Sequence, residues 1–482
     1  MKILHTSDWH LGQSFFTKSR KREHAAFLKW LVEQVELNQI DAVIVAGDVF
    51  DTGTPPSYAR ELYHEFIGAL QGKECTLVVL GGNHDSVSVL NESKALLKYL
   101  NSHVIASTYG DITEQLVALN DRNGKPGAII CAVPFIRPRD VITSEAGQDA
   151  IAKRQALGDA IKQHYATLYQ RALALKETLE KQYHRALPIV ATGHLTALGV
   201  SQSESVRDIY IGTLEGFDAK GFPPADYIAL GHIHRPQKVA KKDHIRYSGS
   251  PIPLSFDELN TTKQVVVVEF PNIAIEEVAT LPPSSSTVTP IITPIEIPRF
   301  QAMEVVKGDL QGIETAIANS EAIANAREEE PVWLCVEVDT QDYLTDLQQR
   351  VQRLLDGKHA EILQLKRIRR QSVRQLSSER NVQLSELTVD EVFQARLKLE
   401  NLDNDVSEQG DLLSQKIEHN NELENSPKNG LNAARPSRRS RMEVLFAKAV
   451  ERVQCNDEDN LEQPQQVSTP VPECSSINDE GE

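Results

Sequence analysis

Apolar residues arrive in short runs through the first half of the chain: Ile3–Leu4, Ala42–Ala46, Leu77–Leu80, Ala128–Val133, Ile189–Ala191 and Tyr227–Leu230. Runs this short predict buried strands. Between them the spacing becomes helical. Phe27, Leu28, Leu31, Val32 and Val35 form one stripe, and Leu62, Phe66, Ile67 and Leu70 form another behind Pro55, Pro56 and Ser57. Each stripe predicts a helix with one face turned to a core. Alternating strand and helix predicts an α/β body. The polar stretch from Ile151 to Tyr183 has a weaker stripe and predicts a surface helix or helical hairpin.

The pattern changes near Leu281, where PPSSSTVTPIITPIEIP reads as a connection without regular elements. Beyond it, strand-like Met303–Val306, Val332–Val338 and Glu361–Ile368 alternate with helical stretches in 309–328 and 341–355, predicting a second, smaller α/β body. Thr388 and Glu391 form a capping box ahead of Val392, Phe393 and Leu397, which predicts a short docking helix. From residue 401 the chain is rich in Asn, Glu, Gln, Ser and Asp and predicts a disordered tail, with one amphipathic island at Met442–Val453. The expected layout is therefore a main domain over 1–281, a linker over 282–299, a small α/β capping domain over 300–370, a partner-docking segment over 371–400 and an acidic tail over 401–482.

A chain of 482 residues exceeds what one core usually serves, in keeping with that division. Its net charge of -17 argues against a nucleic-acid partner until the charge is located. The tail from 401 onward holds 17 acidic and 8 basic side chains and so carries -9 of it. The remaining body is mildly acidic, and bound divalent cations would offset that charge where a phosphate approaches. Cys75, Cys131, Cys335, Cys455 and Cys474 are scattered, with no C-x-x-C pair to suggest zinc or redox work. No signal-peptide layout and no long apolar run occur, so a cytoplasmic, nucleoid-associated protein without a membrane span is expected.

Five of the predicted strands run into turns that carry metal-binding side chains: Asp8 and His10 in S-D-W-H, Asp48 in G-D-V-F-D, Asn83 in G-N-H-D, His194 in G-H, and His232 and His234 in G-H-I-H. In an open α/β sheet the ligand site lies beyond the carboxyl ends of the strands, so such loops can converge there. Alone, an Asp or Asn after a strand is a turn or cap residue, and a lone histidine is surface or core; His5, His24, His64, His103 and His244 read that way. The repetition is what predicts a joint site.

The ordered motifs D-x-H, G-D, G-N-H-D, G-H and G-H-x-H resemble the calcineurin-like metallophosphoesterase superfamily. Within it, LHTSDWHLGQ, VAGDVFDTGTPPSYAR, GGNHDS, ATGHLT, RDIYIGTL, DYIALGHIHRPQ and YSGSPIPLSFDE resemble the bacterial SbcD family of nuclease subunits. The likeness is dense over 1–260, looser over 300–400 and absent from 401 onward. It implies a sandwich of two sheets flanked by helices, with a smaller α/β capping domain.

The same resemblance implies a DNA nuclease that cuts duplex ends as an ATP-stimulated exonuclease and single strands or hairpins as an endonuclease. Two divalent metal ions, manganese by family, would be held by Asp8, His10 and His234 on one side and Asn83, His194 and His232 on the other, with Asp48 between them. His84 is the candidate general acid, since imidazole titrates near neutrality; it could instead be a further ligand. Asp85 could orient His84 or cap the following helix, and Asp51 is equally open. Lys18, Arg20, Lys21, Arg22, Arg137 and Arg139 are candidate DNA contacts. No G-x-x-x-x-G-K-[ST] loop occurs, so ATP use points to an SbcC-type coiled-coil ATPase partner, and the family suggests a homodimer within a heterotetramer. The alternative is a phosphoprotein or nucleotide phosphatase on the same metal core. Against it, the arginine of the phosphatase motif G-D-x-V-D-R-G has no counterpart in Gly47–Gly53.

Overall fold

The first strand, Lys2–Thr6, shows why the body takes its form: Leu4 faces one apolar cluster and Ile3 faces another. Its neighbours alternate likewise. Val43, Val45, Leu77 and Val79 point to the first cluster, whereas Ala42, Ile44, Val78 and Leu80 point to the second. A strand buried on both faces reads as a continuous apolar run because both of its side-chain rows need cover.

The computed structural model describes residues 1–141, 150–206, 216–274, 289–339 and 346–368. All of them belong to one unit, Met1–Gln371. Lys2–Thr6 lies inside a six-stranded sheet in the order Ile291–Glu296, Gln264–Glu269, Lys2–Thr6, Ala42–Val45, Thr76–Leu80, Ser102–Ile105. The last four strands of that order are parallel, and the first two join antiparallel. A second six-stranded sheet runs Gln237–Lys238, Ile245–Tyr247, Tyr227–Gly231, Ile189–His194, Pro126–Cys131, Leu116–Asn120.

The sheets meet face to face through Ile3, Ile44, Val78 and Leu80 on one side and Val117, Ile130, Val190 and Ala229 on the other. The helices Lys21–Leu37 and Ser57–Gln71 cover the outer face of the first sheet with Phe27, Leu31, Phe66 and Ile67. Each such side chain, fully buried, contributes about 1.5–3 kcal/mol of transfer free energy. The helix Ala150–Tyr183 covers the second sheet with Leu157, Ile161, Tyr165 and Leu168. It is one continuous helix rather than a hairpin, and part of its face is core. This is the α/β sandwich flanked by helices that the calcineurin-like resemblance implies.

A three-stranded parallel sheet, Met303–Gly308, Val332–Asp339 and Ala360–Ile368, carries the helices Leu310–Asn319, Glu321–Asn325 and Leu347–Arg353. One face packs on those helices through Leu334, Val336, Ile313 and Val351. The other turns Met303, Trp333 and Cys335 onto Phe15 and Phe256, with Phe15 stacked on Trp333 at 5.8 Å.

The expectation of a structureless linker over 282–299 is corrected. Ile291–Glu296 is the edge strand of the first sheet, paired in register with Gln264–Glu269. Pro294 removes one donor, a loss that an edge strand tolerates. The expected helix near 388–399, the island at 442–453 and the tail lie outside the described residues. Among the described residues no helix is long and apolar enough to cross a membrane.

Candidate metal centre

Strand ends of both sheets deliver the site. Asp8 and His10 follow Lys2–Thr6, Asp48 follows Ala42–Val45, and Asn83 and His84 follow Thr76–Leu80. His194 ends Ile189–His194, and His232 and His234 follow Tyr227–Gly231. Asp8, His10, Asp48 and His232 all have positive φ, at 54°, 47°, 50° and 96°. That region is costly for residues with a Cβ and persists where surrounding structure enforces it, which is characteristic of functional sites.

Glycines make the approach possible. A Cβ on Gly82 would run into the carboxylate and backbone nitrogen of Asp48, and one on Gly231 into the carbonyl oxygen of Ala46. Bare backbone at Gly231 lets the second sheet reach the Ala46 end of the first, and at Gly82 it lets two neighbouring loops of the first sheet touch.

The structure brings all seven candidate ligands together. Asp8, His10 and His234 form one group whose ligand atoms lie within 4.8 Å of one another, and Asp48, His194 and His232 form a second. Asp48 Oδ2 lies 3.6 Å from His10 Nε2 and 3.2 Å from His194 Nε2, so it adjoins both. Asn83 Oδ1 is 2.9 Å from His194 Nε2 and 3.1 Å from His232 Nδ1. His84 also falls within reach of His10 and Asp48.

Hydrogen bonds fix the orientation of these groups. The backbone N–H of His232 donates to both oxygens of Asp8, at 2.9 and 3.1 Å, and that of His84 donates to Asp48 Oδ1 at 2.9 Å. His194 Nδ1 must donate to the Ala46 carbonyl at 2.9 Å, which leaves Nε2 facing Asp48 and Asn83. Among the described residues, His10 Nε2 and His232 Nε2 are buried without hydrogen-bond partners. Such orphans are rare in buried sites unless an ion or substrate completes them. The donor set fits a pair of divalent cations on that ground.

Electrostatics points the same way. Burial opposes charge on Asp48, but His194 and His10 hold its carboxyl well below the usual range. Burial likewise opposes protonation of His194, but Asp48 raises it to about 9; His10 is raised by its bond to Asp51 and the charges of Asp48 and Asp8. Burial and the neighbouring His194 drive His232 well below its ordinary value. Cys75 and Cys131 are buried, which pushes both thiols up to about 12, so neither offers a thiolate.

Asp85 neither orients His84 nor caps the next helix. Its carboxylate accepts from the backbone N–H groups of Gly82, Val49 and Phe50 at 2.8, 3.1 and 2.9 Å, stapling the Asp48 loop to the Asn83 loop. Asp51 has two duties: its carboxylate lies 3.1 Å from His10 Nδ1, and its carbonyl accepts from His84 Nδ1 at 2.7 Å. His5 and His24 are core residues, as expected, and burial lowers both to about 3.

The basic candidates divide. Arg20 is corrected: it is buried, paired with Glu23 at 2.7 Å and bonded to Gln13, and so offers nothing to DNA. Lys18 and Arg22 pair with Glu361 and Glu330 of the small α/β region. Lys21 sits 5.7 Å over the Tyr58 ring. Arg137 donates to the Asp85 carbonyl at 3.2 Å beside the site, and Arg139 is exposed. Sequence reading missed Ser205, Glu258 and Lys263, which lie behind His234; the string YSGSPIPLSFDE, which ends in Glu258, was the available signal.

Residues 1–236 match the calcineurin-like phosphoesterase family, and residues 299–401 match the family described as type 5 capsule protein repressor C-terminal domain. The SbcD component of nuclease SbcCD from Escherichia coli K12 is 50% identical over 403 residues, covering 84% of this chain and 94% of that one. The corresponding SbcCD components of Rhodobacter capsulatus and Bacillus subtilis are 36% and 32% identical, each over 56% of this chain and 66% of their own. The phosphoesterase fold implies divalent metal ions, and the clusters above are groups able to hold them. Identity on that scale, over nearly the full length of a relative, means that the chain belongs to the SbcD family of nuclease subunits within the calcineurin-like phosphoesterases and is a phosphodiester hydrolase.

Proposed function

We propose that the protein is a manganese-dependent DNA nuclease that works with an SbcC-type coiled-coil ATPase in DNA repair and recombination. The observation that carries this reading is the convergence of seven side chains from both sheets, with Asp48 adjoining His10 of one group at 3.6 Å and His194 of the other at 3.2 Å. The name of the Escherichia coli relative supplies the nuclease class. In this reading Asp8, His10 and His234 would hold one ion and Asn83, His194 and His232 the other, with Asp48 available to both. Imidazole, carboxylate and amide donors without thiolate suit a borderline first-row ion better than magnesium.

Divalent ions held there would supply charge neutralisation and a lowered water pKa for hydrolysis of an anionic phosphodiester. The chain's own residues orient and transfer protons. His84 Nδ1 is committed to the Asp51 carbonyl, so proton transfer to the departing sugar oxygen runs through Nε2. Arg137, beside the same loop, contacts a neighbouring phosphate. Lys21 and Arg139 are further candidates for the DNA path. ATP stimulation comes from the partner, docked by the segment over 371–400, and the nuclease acts as a homodimer within a heterotetramer at the nucleoid.

The test is cleavage of 5′- and 3′-labelled duplex and hairpin DNA with manganese and magnesium in parallel, beside a phosphomonoester. Manganese-dependent DNA cleavage that exceeds monoester turnover is expected. Monoester turnover with inert DNA would instead mean a phosphatase. Deleting residues 385–482 should preserve cleavage and remove stimulation by ATP and partner.

A further inference from the structure

His234 is backed by a buried polar cluster that the chemistry above does not use. Ser205 Oγ lies 2.7 Å from His234 Nδ1 and donates to Glu258 Oε1. Glu258 is fully buried and also accepts from Ser203 Oγ at 2.7 Å, from the Leu254 N–H at 3.0 Å and from Lys263 Nζ at 2.6 Å. Lys263 Nζ, buried as well, reaches the His234 carbonyl at 3.1 Å and Ser250 Oγ at 2.7 Å. The cluster thus holds His234 from its side chain and from its backbone.

The direction of each proton follows from the inventory of donors and acceptors. Glu258, paired with the Lys263 ammonium, is ionised and can only accept. The single proton of Ser205 therefore goes to Glu258, and the serine oxygen accepts from His234 Nδ1–H. Nε2 is then the nitrogen that carries the lone pair, in the ring that shares a group with Asp8 and His10. Outer partners of this kind fix both the tautomer and the ring orientation of a ligand histidine.

We infer that Ser205 and Glu258 are positioning residues for His234, a hydroxyl relay to a buried carboxylate that presets one of the two metal positions and leaves the other alone. The inference rests on His234 being a metal ligand. Its reach is selective because the second group takes its orientation from different partners: His194 is set by the Ala46 carbonyl and Asp48 by the His84 N–H.

The experiment is calorimetric titration of the metal-free full-length protein with Mn2+, together with the visible spectrum of the Co2+-loaded protein. The wild type takes up two ions, and His234→Ala loses one of them. Ser205→Ala weakens that same ion by about 10–100-fold and leaves the second unchanged. Ser205→Thr, which keeps the hydroxyl, restores it, and the Co2+ spectrum follows the same pattern. Glu258→Gln acts in the same direction but strands the buried Lys263, so Ser205→Ala, which strands no charge, decides. Should Ser205→Ala bind both ions like the wild type while His234→Ala loses one, the relay is wrong and the metal reading stands. Should His234→Ala keep both ions, the ligand assignment itself fails and the relay with it.

Discussion

Asp48 Oδ2 lies 3.2 Å from His194 Nε2, so a loop from the end of one sheet touches the last residue of a strand in the other. Both groups are buried, yet each holds the other charged: the carboxyl stays well below its ordinary range and the imidazole rises to about 9. In the metal-free protein a proton occupies the place for which a cation competes.

Metal uptake at neutral pH should therefore release protons, and affinity should weaken as pH falls below about 9. Calorimetry in buffers of different ionisation enthalpy measures the number released; zero release would contradict the raised His194. The same shift has a stability sign. A raised imidazole stabilises the metal-free fold fully below its unfolded value near 6.5, and loses that contribution as pH rises through about 9. The metal-free melting temperature should fall across that window, and Asp48→Asn should flatten the decline.

Gly82→Ala tests the close approach of the loops. The new methyl would meet the Asp48 carboxylate and backbone nitrogen. Overpacking of this kind costs about 1–3 kcal/mol, and displaced Asp48 should lower metal content measured by atomic emission. Wild-type metal content would show that the loops have slack.

His84→Asn removes the proposed proton donor. Turnover should drop by about 10²–10⁴-fold, the range of general acid catalysis, with metal content and DNA binding kept. Single-turnover cleavage beside metal analysis separates this from loss of a ligand, in which metal content would fall too.

Asp85→Ala removes the acceptor for three buried N–H groups. Each unsatisfied donor costs about 1–3 kcal/mol, so a loss of about 3 kcal/mol or more is expected in denaturant unfolding. An unchanged midpoint would mean that solvent satisfies these groups.

Arg20→Ala and Arg137→Ala should differ in kind. Breaking the buried Arg20–Glu23 pair should destabilise the fold by about 3–5 kcal/mol and leave the salt dependence of DNA binding as it was. Arg137→Ala should lower the slope of log affinity against log salt by about 1 and spare stability. A changed slope with Arg20→Ala would return that residue to the DNA path.

The strands and main helices of the body were legible because local patterning and burial agree. Val43, Ile44 and Val45 face opposite layers yet are all apolar, so the run itself marks a strand covered on both sides. The edge strand Ile291–Glu296 was not legible, since Pro294 and the Ser and Thr around it read as a breaker. Its pairing comes from the neighbouring Gln264–Glu269 rather than from its own propensity.

The repetition of donor side chains in turns just past buried strands named Asp8, His10, Asp48, Asn83, His84, His194, His232 and His234, because residue type and position after an apolar run are local properties. Which of their neighbours matter was decided by tertiary structure alone. Asp85 finds its partners on another loop, Arg20 is buried against Glu23 and the Pro253 carbonyl, and Ser205 meets His234 and Glu258 from separate loops. Hydrogen bonds and ion pairs act over about 3 Å in space regardless of separation along the chain, so residue type can nominate a ligand, but only the meeting of two sheets can supply what orients it.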